Sequence, residues 1–529
     1  MICGTIALIG RAVIQGDENL QFVRLRPAKT SPAPSGKKLL LSATPSILRF
    51  MPSRRAVPAV LALDLGTSSV RSALFDDQGR LIADSRASQD YRVRHSLDRG
   101  AELDPLLLLR ATRRCLKQTR SRLAKSAAPL VAGSGFWHSL LGLDRSGNPL
   151  TPIFLWGDSR STDDAARLLD KLDERTIQQR TGCMLRSSFW PAKLAWLRRT
   201  EPRLFRRVAR WASPAEWVFE KIFGLHACSH SMASGTGIYH LASGDWDDEL
   251  LGLLGLRKKQ LSPLLDEEKR SRFTIYPAIG DGAAGNLGSG AVRPGLLAIN
   301  VGTSAAVRMV RPAGTDLPFG LFQFVIDRQR SLLGGAISNA GNLRAWCLRE
   351  LRLPNDERAV EKVLRSPGRG ADALTILPFW VGERAPTWPE NLSGTVIGLS
   401  QATTAADLLV AAMTASFDRL ASILEQLEAA TGRAKRIIVS GGILQSRASL
   451  QLLADSLGRD LEVSGDQEAS LRGAAVYALE KSGFTITPPE RGGRVEAKRA
   501  RAQKARARRI RQQTLEALLG GASWSPSNF

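Results

Sequence analysis

The sequence predicts a two-lobed α/β protein with mixed sheets, and three observations carry that reading. A chain of 529 residues is longer than one compact core organises. Strands and helices alternate in both of its halves, the pattern of α/β lobes. One short motif also occurs twice, as Leu61-Ala-Leu-Asp-Leu-Gly-Thr-Ser-Ser69 and Leu297-Ala-Ile-Asn-Val-Gly-Thr-Ser-Ala305. Each copy is an apolar strand running into Gly-Thr-Ser, a tight turn whose amides and hydroxyls can hold an anion. A duplicated phosphate-gripping hairpin implies two related lobes closing on a nucleotide. The copies differ at Asp64 against Asn300, so only the first offers a carboxylate to a cation.

Residues 1–55 mix Pro, Gly, Ser and Lys without sustained periodicity, and Met51 opens Met-Pro-Ser-Arg-Arg just before the first convincing strand. They read as a disordered or misassigned extension, with neither the amphipathic helix nor the apolar stretch of a targeting peptide. The first lobe is expected over 56–290. It begins with a strand from Val60, the Gly-Thr-Ser turn, a strand over Val70–Phe75, an Asp76-Asp-Gln-Gly turn and a strand over Arg80–Ala83, a meander by its turn chemistry. A helix over about Asp104–Ala124 follows, then a strand near Leu130–Ala132, a loop holding Phe136-Trp-His138, a hairpin around Asp144-Arg-Ser-Gly147, and mainly helical structure to about Arg272. The second lobe, 291–487, repeats the order. Its hairpin spans 297–310, helices are expected over Asn342–Glu350 and Thr404–Thr431, and the strand Arg436–Ser440 runs into Gly441-Gly442 and a helix over Ser446–Leu457. Strand, Gly-Gly turn and helix bring backbone close to a nucleotide at a helix N-terminus. The basic tail, 488–529, places Ile510, Leu515, Leu518 and Leu519 near helical spacing and is expected to pack back on the body as a helix.

Composition narrows the function. No apolar run approaches the roughly 20 residues that span a bilayer, so membrane insertion is not expected. The five cysteines are scattered and nowhere form Cys-x-x-Cys, and the five histidines do not cluster. Neither a disulfide framework nor a zinc site is indicated, and a reducing cytoplasm fits best. The net charge is +24, but residues 1–55 carry nine basic against two acidic side chains and residues 491–511 ten against one. Two thirds of the excess therefore sits in the ends, without interleaved aromatics, which disfavours nucleic acid as a partner.

The chemistry-bearing residues follow from the turns. Asp64 ends an apolar strand and aims a carboxylate at the turn, where Mg²⁺ with retained waters can bridge it to phosphates. Thr67 and Ser68 supply amide and hydroxyl donors, and Arg71 a charge-assisted partner. Just ahead of the second copy, Pro277-Ala-Ile-Gly-Asp281-Gly-Ala-Ala-Gly presents a carboxylate from a Gly-flanked turn. Small neighbours let a substrate hydroxyl approach it, which makes Asp281 the candidate general base.

These segments, together with Ser440-Gly-Gly-Ile and Glu468-Ala-Ser-Leu-Arg-Gly473, resemble the FGGY carbohydrate kinases of the actin-like ATPase superfamily, over about residues 58–485. The resemblance implies two ribonuclease-H-like lobes with ATP, Mg²⁺ and sugar in the cleft between them. It implies nucleotide contacts at Gly66, Thr67, Ser68, Arg71, Gly302, Thr303, Gly341, Gly441, Gly442 and Ser446, the last standing where many members carry an adenine-holding Asn. Phe136-Trp-His-Ser, Trp156-Gly-Asp-Ser-Arg160, the segment ending at Lys193 and Leu377-Pro-Phe-Trp-Val-Gly-Glu-Arg-Ala-Pro386 are most similar to the gluconokinase branch. By that pattern Trp137, His138, Trp156, Asp158 and Arg160 line the sugar site, with Lys193 and Arg384 as cations for a carboxylate. The implied reaction is transfer of the ATP γ-phosphoryl group to a primary hydroxyl of a small-molecule sugar acid, D-gluconate to 6-phosphogluconate. A xylulokinase-like pentulose or polyol kinase is the alternative, and a catalytically inactive sugar- and ATP-binding regulator the alternative of another class. A homodimer is left open.

Overall fold

The computed structural model describes residues 59–123, 129–269, 274–313, 317–354, 356–365, 368–466 and 468–521. The extension expected over 1–55 lies outside the described residues. The first sheet is built on the hairpin Val60–Leu65 and Ser69–Phe75, with Asp64 opposite Arg71. Ala87–Asp90 continues it antiparallel beyond Ser69–Phe75, and Leu130–Gly135 runs parallel along the other side of Val60–Leu65. Every residue of Val60–Leu65 is buried, as a central strand covered on both faces must be.

The second sheet repeats that order. Leu296–Val301 and Ala305–Pro312 form its hairpin, Arg330–Ile337 continues antiparallel beyond the second strand, and Arg436–Ser440 runs parallel to the first. Counting these four strands alone, each sheet reads third, second, first, fourth, and in the second sheet Phe322–Val325 adds a further strand beyond Arg330–Ile337. Each crossover to the parallel strand also passes through a helix. Pro105–Arg120, N-capped by Asp104, packs on the first sheet, and Ala405–Thr431, opened by a capping box of Thr404 and Asp407, packs on the second. Duplication of the motif and duplication of the lobe are therefore one fact.

Two local expectations are corrected. Arg80–Ala83 is not a strand: only Leu81 makes an isolated bridge, to Phe75. The Asp76 carboxylate accepts the Gln78 and Arg80 amides and tightens the turn, and Asp84 at φ 57° diverts the chain, so the third strand starts at Ala87. Asp281 does not sit in a turn but opens the helix Asp281–Gly288, with Gly280 as N-cap. The stretch expected to be mainly helical carries seven helices between Thr162 and Leu254, interrupted by the short strands Arg210–Ala212, Tyr239–His240 and Asp245–Trp246.

Two helices join the halves of the fold. Asp281–Gly288 crosses Ala469–Lys481 so closely that a methyl group at Gly473 would lie 1.7 Å from the Ala284 carbonyl oxygen, and one at Gly288 1.8 Å from that of Ala469. Only glycine permits that approach. Ala469–Lys481 also packs on Val60–Leu65 and Leu130–Gly135, so the chain returns from the second sheet to the core of the first.

The tail forms the strand Arg491–Val495, on the edge of the second sheet, and the helix Arg499–Gly521. That helix docks through half of the expected apolar set and through polar groups: Leu515 and Leu519 pack against Leu377, Phe379 and Leu392, Ile510 and Leu518 are exposed, and Ala505, Arg509, Gln512 and Glu516 are buried. Arg508 pairs with Asp418 at 2.7 Å, Arg509 with Glu425 at 2.5 Å, and Glu516 with Arg419 at 2.6 Å. The tail's basic charge is largely spent on the body. Among the described residues no helix is long and apolar enough to cross a membrane.

Candidate active site

A cavity of about 490 Å³ opens between the two Gly-Thr-Ser turns. Asp64, Gly66, Thr67 and Ser68 line it from the first hairpin, and Asn300, Gly302, Thr303 and Ser304 from the second. The repeated motif therefore faces itself across one cleft. Gly441 joins the same lining, with φ at +94°, and a methyl group there would meet the Val301 carbonyl oxygen at 2.6 Å. Gly341 supports the second turn from behind, its amide donating to the Gly302 carbonyl at 3.0 Å.

Asp64 is 2 % exposed, and its two oxygens accept from Ser134 Oγ and, at 2.5 Å, from Arg71. Arg71 also pairs with Glu468 at 2.8 Å, so its guanidinium is committed to carboxylates rather than open to phosphate. The Asp64–Arg71–Glu468 chain ties the first hairpin to the start of the helix Ala469–Lys481. No group of three or more His, Cys, Asp or Glu side chains able to hold a metal occurs among the described residues. The donor set fits Mg²⁺ held by nucleotide phosphates and water, with Asp64 as outer partner, and not an all-protein cage.

Asp281 lies on the cavity floor, its Oδ1 accepting the Gly282 amide at 2.8 Å. Burial pushes its carboxyl above the ordinary value, Arg308 opposes that shift, and Asp64 adds to it. The flanking glycines are required by neighbours: a methyl group at Gly280 would strike the Trp137 ring at 1.7 Å, and one at Gly282 would meet Trp137 at 2.6 Å and Arg308 Nε at 2.9 Å.

The acceptor side is aromatic. Trp137 donates to the Ser231 carbonyl at 2.9 Å and packs 4.6 Å from Phe324. His138 holds its Nδ1 2.5 Å from the Gly235 carbonyl, and burial drives its pKa down to about 3. The ring is therefore neutral, with the proton on Nδ1 for that carbonyl and Nε2 left as an acceptor for a hydroxyl. Trp156 lies under Arg384, whose Cζ is 4.6 Å from the ring centroid. Arg384 donates to the Ile337 carbonyl at 2.9 Å and Ser338 Oγ at 3.2 Å. Buried Glu383 fixes the backbone beside it by accepting the amides of Ser338 and Arg384.

Six expected site residues stand outside the lining, Gly341 behind the second turn among them. Asp158 and Arg160 pair with each other, Arg160 also holding Glu102 at 2.8 Å. Lys193 Nζ is buried and donates to the carbonyls of Asp158 at 3.1 Å and Ser187 at 2.5 Å, shaping the turn that presents Ser188 and Phe189 to the cavity. Ser446 caps the helix Arg447–Leu457 and donates to Glu361. Gly442 follows the Gly441 turn without lining the cavity. In return the structure adds Arg308, Phe189, Phe324 and Trp388. Arg308 left no sequence signal beyond an unpaired cation on the strand after the second Gly-Thr-Ser turn.

Known proteins resemble this chain in sequence and fold. The family model described as the FGGY family of carbohydrate kinases, N-terminal domain, matches residues 59–283, and the corresponding C-terminal domain matches residues 297–480. A gluconokinase of Bacillus subtilis (strain 168) is 26% identical over 451 residues, covering 80% of this chain and 88% of its own. A xylulose kinase of Streptomyces rubiginosus is 30% identical over 440 residues, covering 80% and 87%. The crystal structure of a gluconate kinase from Lactobacillus acidophilus superposes with a TM-score of 0.80 at 23% identity, over 88% of this chain and 98% of that one, and so shares its actin-like ATPase fold.

Proposed function

The chain belongs to the FGGY family of carbohydrate kinases, and on that premise we propose that it transfers the γ-phosphoryl group of ATP to the primary hydroxyl of a sugar acid, D-gluconate first among them. The observation that carries the transfer is Asp281, a carboxylate with a raised pKa on the floor of a cleft walled by both Gly-Thr-Ser turns. A base of that kind accepts the hydroxyl proton as the oxygen attacks phosphorus in line. When bound, ATP supplies the phosphoryl group and Mg²⁺ offsets the phosphate charge. Thr67, Ser68, Gly302, Thr303 and Gly441 would hold the phosphates, and Asp64 would be the carboxylate partner of the metal. Trp137 and Trp156 offer apolar faces to the carbon chain, and His138 Nε2 accepts a hydroxyl.

The acid rather than a neutral sugar is supported by the cationic lining on the acceptor side of the cavity, to which Arg384 over Trp156 adds its charge although its donors are taken. The 30% identical xylulose kinase supports a second reading, a pentulose acceptor at the same Asp281. A coupled ADP-release assay with gluconate, xylulose, ribulose and glycerol separates the two. Gluconate is expected to give the highest kcat/KM, and a preference for xylulose overturns the first reading in favour of the second.

A further inference from the structure

We propose that Arg308 is the acceptor's oxyanion subsite, the guanidinium that takes the carboxylate of a sugar acid and so sets the substrate class. The inference rests on the kinase reading above and adds a residue and a selection rule to it.

The other cations near the cleft are spent. Arg71 is held by Asp64 and Glu468, Arg160 by Asp158 and Glu102, Lys193 by two carbonyls, and Arg384 by a carbonyl, a hydroxyl and the Trp156 face. Arg308 lines the same cavity and makes no side-chain hydrogen bond or ion pair with any described residue, and its Nε is buried without a partner. Its place is built rather than accidental: the guanidinium passes over Gly282, where a methyl group would lie 2.9 Å from Nε and 3.0 Å from Cζ. Ala306, two residues earlier and on the same face of the strand, is small and also lines the cavity.

A partly buried guanidinium without a fork-shaped partner is unfavourable in the free protein, and a bidentate carboxylate is the ligand that offsets it. Asp281 attracts Arg308 at longer range but forms no ion pair with it, and a base engaged by an arginine would be a poor proton acceptor.

Two other roles are separable by experiment. An Arg308 that grips the γ-phosphate acts on ATP, and one that merely tunes Asp281 acts on every acceptor alike. Arg308→Gln and Arg308→Lys would be compared with the wild type for kcat/KM on a panel of aldonates and uronates and on neutral xylulose and glycerol. KM for ATP, the pH profile and calorimetric binding of each sugar acid would be measured alongside. The expected result is a fall of about tenfold to a hundredfold in the ratio of acid to neutral kcat/KM for Arg308→Gln, the scale of one charged hydrogen-bond pair. That fall should be carried by KM and by lost acid binding, with partial rescue by lysine. An unchanged ratio with an equal fall for all acceptors, a shifted pH profile alone, or a raised KM for ATP would each overturn the proposal. If another sugar acid replaces gluconate as substrate and still depends on Arg308, the gluconate reading fails and the subsite stands. If only neutral sugars are turned over and no acid binds the wild type, the subsite fails and the kinase stands.

Discussion

Replacing Asp281 by Asn removes the base and little else. Oδ1 already accepts the Gly282 amide at 2.8 Å, an interaction the Asn oxygen retains, so the NH₂ group falls where Oδ2 was. A donor then faces the hydroxyl proton that must be removed. General-base catalysis contributes about 10²–10⁴-fold. Among the described residues Asp64 is the only other carboxylate lining the cavity, and Ser134 and Arg71 already engage it. With no substitute base, the upper half of the range is expected, a kcat loss of about 10³–10⁴ or roughly 4–5.4 kcal/mol of barrier. The stability effect has the opposite sign. Burial raises the folded-state pKa of Asp281, so the stability contributed by its protonated form is fully present below the unfolded value and is lost as pH rises through the folded value. Above the folded-state value the ionised wild type carries that loss and Asp281→Asn does not. Its Tm should match or exceed the wild type there, and the advantage should vanish below about pH 3.9. Steady-state ADP release and differential scanning fluorimetry across pH read both quantities. A variant with kcat within tenfold of wild type would refute the assignment of Asp281 as base.

Other consequences are equally specific. Gly282→Ala places a methyl group 2.6 Å from Trp137 and 2.9 Å from Arg308, and should raise acceptor KM while costing about 1–3 kcal/mol in urea unfolding; an unchanged KM would show that Arg308 lies elsewhere. Gly473→Ala puts a methyl group 1.7 Å from a backbone oxygen that cannot move unless the crossing helices part, so a loss of about 3 kcal/mol or more is expected, and an unaltered unfolding midpoint would contradict the packing. Glu516→Ala strands buried Arg419, whose Nη2 also holds the Ala385 carbonyl at 3.2 Å next to Arg384. A cost of about 3–5 kcal/mol is expected from the broken buried pair, together with a raised acceptor KM, and a loss below 1 kcal/mol would show the tail to be dispensable.

What the sequence discloses is what its local chemistry encodes. The two hairpins, the capped helices after Asp104 and Thr404, and the Gly441 turn are each written in a few consecutive residues, and they appear where expected. Asp281 was also legible, because glycines on both sides of a carboxylate are conspicuous, although its helix was not. The reason those glycines exist lies in Trp137 and Arg308, which are far away in the chain. Arg308 was hidden for the same reason: its role depends on having no partner, and no run of letters records an absence in space. The motifs around Asp158, Arg160 and Lys193 point to sugar contacts, whereas in the fold these side chains brace the turn and loop behind the cavity. The tail's docking likewise rests on charges meeting across the fold, as Glu516 meets Arg419, and only its helical spacing was visible beforehand.

The most direct test of the central claim is ³¹P nuclear magnetic resonance of a reaction containing the full chain, ATP, Mg²⁺ and gluconate. One phosphomonoester signal, coupled to the protons of the primary carbon, is expected to grow in step with ADP, and to grow about 10³–10⁴-fold more slowly with Asp281→Asn. Release of inorganic phosphate without a phosphorylated acceptor, or equal product from the Asp281→Asn variant, would contradict that claim.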